Sequence, residues 1–183
     1  MKKGFTLIEL LVVILILSIL ITIAAVTFGP AIARANETAC KKLLGDLFKF
    51  CNMYYLKAST FPFAGEGMEA YQHWQVLFDN VEGISPTLLK CPAMGNVRVA
   101  EMDSDTNKVT LRPENCAYAY SREQCSPEHY SRLLAADKDF KRGNTGFGHN
   151  EAIVVLKCGG SPDVVKVKEG ENWETVTKGE LVK

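Results

Sequence analysis

MKKGFTLIELLVVILILSILITIAAVTF, residues 1–28, opens the chain with two lysines, a Gly4-Phe5 junction, one glutamate and an apolar run. No charged residue interrupts that run between Glu9 and Arg34. At about 1.5 Å of rise per residue, a helix over 5–28 is about 36 Å long, enough to cross a hydrocarbon layer of about 30 Å. The segment therefore reads as a membrane span. Lys2 and Lys3 place its start in the cytoplasm by the positive-inside rule, which puts the remainder of the chain outside.

Glu9 is the odd residue, because a carboxylate inside a membrane helix is costly even on lenient insertion scales. No Lys, Arg or His lies between Phe5 and Ala33. The only opposite charge within one chain would be a free amino group at the helix start, and cleavage after Gly4 would create one at Phe5.

These residues, K-G-F-T-L-I-E followed by an apolar helix, resemble the N-terminal signature of type IV prepilins and of the pseudopilins of type II secretion. The resemblance implies that a prepilin peptidase cuts after Gly4 and methylates Phe5, and that Glu9 assists assembly. It implies a homo-oligomeric filament built with an inner-membrane assembly platform and minor pilins. The subunit waits in the inner membrane as a single-pass protein with its head outside the cytoplasm, then joins a periplasmic or extracellular filament. An ordinary signal peptide, cut near Thr22-Ile23-Ala24, would have an unusually long apolar core containing a glutamate. An uncleaved signal anchor fits the length but gives no reason for Gly4 or Glu9.

The 183 residues, 47% apolar, suffice for one membrane segment and one modest domain. The expected division is a leader over 1–4, a transmembrane and assembly helix over 5–28, an amphipathic continuation over 29–58 and a head over 59–183. Basic and acidic residues number 21 each, which argues against a general nucleic-acid coat.

Cys40, Cys51, Cys91, Cys116, Cys125 and Cys158 form an even set in a chain argued to face outward, so disulfides are expected. Zinc is the weaker alternative, since there is no C-x-x-C pair and His73, His129 and His149 are scattered.

Gly29-Pro30 should loosen or kink the helix. Beyond it, Cys40, Leu43, Leu44, Leu47, Cys51, Tyr54 and Tyr55 recur at helical steps, predicting an amphipathic helix that ends within 56–59. Cys40 and Cys51 lie on one face about 16 Å apart, too far to bond each other. Each is expected to reach a different head cysteine. Close spacing makes Cys116 with Cys125 the natural third bridge, leaving Cys91 and Cys158 for the helix in either order.

The head begins with a Pro/Gly linker and a short helix within 68–80, where Tyr71, Trp74 and Leu77 or Phe78 share a core-facing side. His73, on a neighbouring face, reads as a satisfied or surface residue. Residues 97–102 and 108–112 flank the polar turn Asp103-Ser104-Asp105-Thr106-Asn107 as a candidate hairpin. Further strands are expected over 116–121, 132–136, 152–157 and 164–168, the last two joined by a Gly159-Gly160 turn. The pattern is α+β: a long N-terminal helix on an antiparallel, disulfide-stapled head.

A second resemblance lies in GFGHNEAIVVLKCGGSP, similar to a C-terminal motif of many bacterial prepilin-like proteins: a histidine, nine residues, then Asp-Gly. His149 is followed at that spacing by Gly159-Gly160, so the aspartate is missing.

No nucleophile elbow, H-E-x-x-H or P-loop occurs, and no enzyme is expected. Asp137 and Asp139, with Asn144 and Glu151 nearby, are candidate oxygen ligands for calcium, as in some pseudopilins; solvated loop carboxylates are the simpler reading, and no cofactor is expected. Lys138, Lys141 and Arg142 read as a solvated basic turn. The leading function is a structural filament subunit. A minor pilin or adhesin that recognises a surface or polymer is the alternative, and a membrane-anchored enzyme comes third.

Overall fold

The computed structural model describes residues 6–95, 97–138, 149, 152–168 and 171–183, with the side chains of 25–27 left aside. One helix dominates: α1, Leu7–Ala58, runs 52 residues without a break. Pro30 lies inside it, and the helix continues beyond it into the amphipathic half that the spacing predicts. Proline's fixed φ is compatible with the helix, and its missing N–H leaves one carbonyl of the preceding turn without its helical donor. The helix stops where Ser59 turns left-handed at φ 60° and its N–H caps the carbonyl of Tyr55.

From Leu7 to Ile32 the large apolar side chains described are exposed, whereas Ala33, Cys40, Leu44, Leu47 and Cys51 are buried against the head. The buried set recurs at seven-, four- and three-residue steps, a stripe along one helix face. Helix α2, Ala70–Asn80, buries Ala70, His73, Trp74 and Leu77 in the same core.

The sheet is antiparallel throughout, in the order β4-β3-β2-β1-β5. Its strands are β1 Tyr118–Ser121, β2 Leu133–Asp137, β3 Ala152–Lys157, β4 Pro162–Lys166 and β5 Leu181–Val182. Tyr118, Tyr120, Ala135, Val154 and Leu156 share a core with α1 and α2. Ala119, Ala136, Ile153 and Val155 share a second one with Val167, Leu181 and Trp173 of α3, Trp173–Thr177. Covering both faces explains why β1, β2 and β3 are apolar runs rather than alternating ones.

The β3–β4 turn presses on α1. Gly160 sits at φ +109°, and a Cβ there would lie 2.6 Å from Cε1 of Phe48. Only glycine meets both the backbone and the space.

The hairpin expected over 97–112 is not a strand pair. Its turn forms, with Asp103 Oδ1 accepting from the N–H groups of Asp105 and Thr106, but a single bridge, Met102 to Val109, joins its arms. The backbone is instead satisfied by α2 and by a neighbouring loop: Gln75 donates to the Val109 carbonyl and accepts from the Leu111 N–H, and Asn115 donates to the Arg98 carbonyl. Val97, Ala100, Val109 and Leu111 still reach the core, which is what their spacing reported. Helix α3 and strand β5 were not expected at all.

Candidate functional site: the N-terminal helix and its junction with the head

Gly4 and Phe5, the expected processing residues, lie outside the described residues. Glu9 is described, and its partner is local. Its Oε2 accepts from the backbone N–H and the hydroxyl of Thr6, both at 2.8 Å, while Thr6 Oγ1 accepts from the Glu9 N–H at 3.3 Å. This is a capping box, and its T-x-x-E signature stands in the sequence as Thr6-Leu7-Ile8-Glu9. The carboxylate is therefore met within its own helix by neutral donors, not by an opposite charge. The carboxylate has one Oε2 already engaged and a second oxygen left for another partner.

One disulfide ties the lower half of α1 to the head; the second bridge, expected from Cys51, is not formed. Cys40 is disulfide-bonded to Cys91, their Cα atoms 5.6 Å apart, so the first helix cysteine does reach a head cysteine. Cys91 follows a 3₁₀ turn, Pro86–Leu89, that Ser85 caps and Pro86 starts. Eleven residues further along α1, Cys51 is a buried free thiol within electrostatic reach of Cys125, and Cys51, Cys125 and Cys158 all act on the buried Tyr120 hydroxyl. The Cys158 thiol hydrogen-bonds the Cys125 sulfur, which holds Cys125 below and Cys158 above the ordinary thiol range. Cys51 is pushed up, first by burial and then by Cys125.

The Cys116–Cys125 bridge expected from spacing is absent, and both are free buried thiols. Cys116 precedes β1 in the core, whereas Cys125 follows β1 and is carried to the β3 end, beside Cys158. Nearness in sequence did not survive the intervening strand.

Asp137 is also relocated. Instead of a solvated loop carboxylate it is the last residue of β2, fully buried. Its Oδ2 accepts from the Val154 N–H at 2.8 Å and lies 3.3 Å from Nε2 of His149. His149 Nε2 is 3.4 Å from Cys91 Sγ. Burial raises the Asp137 carboxyl to about 7 and lowers the His149 imidazole. Both shifts oppose an ion pair, so the contact is that of a neutral imidazole N–H shared between a carboxyl and a sulfur. Asp137 Oδ1 and His149 Nδ1 are buried with no hydrogen-bond partner among the described residues. A calcium site in this loop is not supported by Asp137, whose carboxyl faces sulfur and imidazole; Asp139, Asn144 and Glu151 lie outside the described residues.

His73 is buried, not a surface residue. Its Nδ1 accepts from the Ala64 N–H at 3.0 Å, and its ring stacks between Phe63 and Tyr120 at 5.0 Å from each. Burial lowers its pKa. It is a satisfied core histidine. Of the basic turn only Lys138 is described.

Comparison with known proteins bears on the helix. Residues 1–25 match the family model described as the prokaryotic N-terminal methylation motif. The chain is 42% identical over 59 residues to the major component of the type IV wide pilus of Thermus thermophilus. That match spans 45% of the relative's length and 32% of this chain. No solved structure matches it.

Proposed function

We propose, for a chain that carries the N-terminal segment of the type IV prepilin family, that it is a filament subunit of the type IV pilus kind. The observation that carries the reading is the division of α1: one unbroken helix, apolar and uncovered over its first half, held to a folded head over its second. Fourteen Leu, Ile, Val or Phe side chains lie between Leu10 and Phe28. At about 1.5–3 kcal/mol each, their burial is worth tens of kcal/mol, so this half of the helix cannot rest in water. Lipid before assembly and neighbouring helices afterwards are the two environments that satisfy it.

In this reading the chain enters the inner membrane with Lys2 and Lys3 in the cytoplasm and the head outside. A prepilin peptidase cuts after Gly4 and methylates Phe5. Assembly then transfers the helix from lipid into a bundle of like helices, where Glu9 accepts the Phe5 amino group of a neighbour. That ammonium is the partner left for the carboxylate oxygen that Thr6 does not use.

The test is to shear surface filaments from cells and identify their subunits. The proposal expects this chain in the sheared fraction as well as in the inner membrane. A chain confined to the membrane, with filaments unaltered by its deletion, would overturn it.

A further inference from the structure

We propose that Cys40, Cys91, Asp137 and His149 form a binding site for a zinc-class divalent cation when the Cys40–Cys91 bond is open. One donor atom from each of the four lies within 4.8 Å of every other, and all four residues are buried. They come from four separate places in the fold: α1, the loop after the Pro86–Leu89 turn, the end of β2 and a position three residues before β3.

Two of the donor spacings already suit a tetrahedral ion. Zinc bonds of about 2.0–2.1 Å to nitrogen and oxygen and about 2.3 Å to sulfur put nitrogen and oxygen about 3.3 Å apart on a tetrahedron edge, and nitrogen and sulfur about 3.5 Å apart. The corresponding distances are 3.3 Å from His149 Nε2 to Asp137 Oδ2 and 3.4 Å from His149 Nε2 to Cys91 Sγ. The sulfur–sulfur edge is closed by a covalent bond, and the remaining donor pairs lie within 4.8 Å. Reduction lets the two sulfurs separate to about 3.7 Å, the edge expected between two zinc-bound thiolates.

Asp137 Oδ1 and His149 Nδ1 are buried without partners among the described residues, as are the hydroxyls of Tyr118 and Tyr120, so the second carboxylate oxygen is open to a ligand that Oδ2 already faces. The donor set is two sulfurs, one imidazole and one carboxylate, which selects zinc over calcium, whose ligands are all oxygen. Such sites are found in sequence by paired short spacings. Here the ligands are 51, 46 and 12 positions apart, so no motif exists to read.

The metal and the disulfide exclude one another. Zinc binding displaces the two thiol protons. Oxidation by a small disulfide takes two electrons from the thiolates, forms the Cys40–Cys91 bond, releases Zn²⁺ and leaves the oxidant as two free thiolates. Either link joins α1 to the head, so the junction stays closed in both redox states.

The experiment uses the full chain in nonionic detergent, stripped of metal and reduced anaerobically with a phosphine, which takes up the oxygen of water as the disulfide accepts two electrons and two protons. Titration with Co²⁺ should give one equivalent of tetrahedral ligand-field bands with thiolate-to-cobalt charge transfer, abolished by Zn²⁺. Asp137→Asn, which keeps the volume and the acceptor for the Val154 N–H, and His149→Ala should each weaken binding at least about tenfold. Cys51→Ser should leave it unchanged. Zinc should also raise the unfolding temperature of the reduced wild-type chain and not that of the oxidised one. Absence of tetrahedral bands in the reduced wild type, bands that survive His149→Ala, or bands lost in Cys51→Ser would overturn the proposal.

Discussion

Glu9 has two tasks that one substitution cannot separate and two substitutions can. Its Oε2 closes a capping box with Thr6, and its charge is proposed to meet a neighbour's amino group. Gln retains the capping geometry without the charge, and Leu retains neither. If charge is what assembly needs, Glu9→Gln and Glu9→Leu should both enter the membrane and both fail to enter sheared filaments. Normal filament incorporation of Glu9→Gln, with failure of Glu9→Leu, would assign the residue to capping alone. At Gly160, substitution by Ala should destabilise the head by about 1–3 kcal/mol, through a strained φ and the clash with Phe48. Thermal unfolding of the full chain in detergent reads this directly, and an unchanged midpoint would mean that α1 does not press on the β3–β4 turn. His73 supplies a pH test. Its folded-state pKa is depressed, so below its ordinary value of about 6.5 the unfolded chain binds a proton that the folded chain refuses. Stability from this residue is therefore complete above that pH and lost as pH falls. Unfolding midpoints between pH 7.5 and 5 should drop more for wild type than for His73→Gln, which retains an acceptor for Ala64; parallel curves would contradict the assignment.

At the scale of elements, what could be read in the sequence is what depends on one periodicity. The stripe of Cys40, Leu44, Leu47 and Cys51 announced both a helix and its buried face, and the apolar run of β3 with the Val164-Val165 pair of β4 announced strands. Residues 97–112 alternate like strands because their side chains are buried on one side, yet side chains of α2 and Asn115 take the backbone bonds that a ladder would have made. Helix α3 is five residues and β5 two, too short for any period to show. Cysteine pairing was legible only for its first step: that α1 is too long for Cys40 to reach Cys51 follows from helix geometry, whereas the neighbours of Cys125 follow from strand order. Peptide mapping without reduction should recover Cys40 linked to Cys91 and no Cys116–Cys125 peptide; the latter species would contradict the arrangement. Opening the Cys40–Cys91 bond, which closes a separation of 51 residues, should cost about 4 kcal/mol on the chain-entropy estimate. Denaturant unfolding of the oxidised and the reduced chain, both with chelator present, measures the difference.

Across the whole molecule, α1 is a shared element with two different solvents. Its lower half is part of a head core, and its upper half is as apolar as a membrane span with none of the described residues of its own chain covering it. That contrast is what the proposed role of the helix as an assembly surface rests on. The most direct check is intact-mass and N-terminal analysis of the chain recovered from sheared surface filaments. The account predicts a chain that begins at Phe5 and carries one added methyl group on its amino nitrogen. A chain with Met1 intact, or one that begins near Ala25 and has lost the apolar helix, would contradict it.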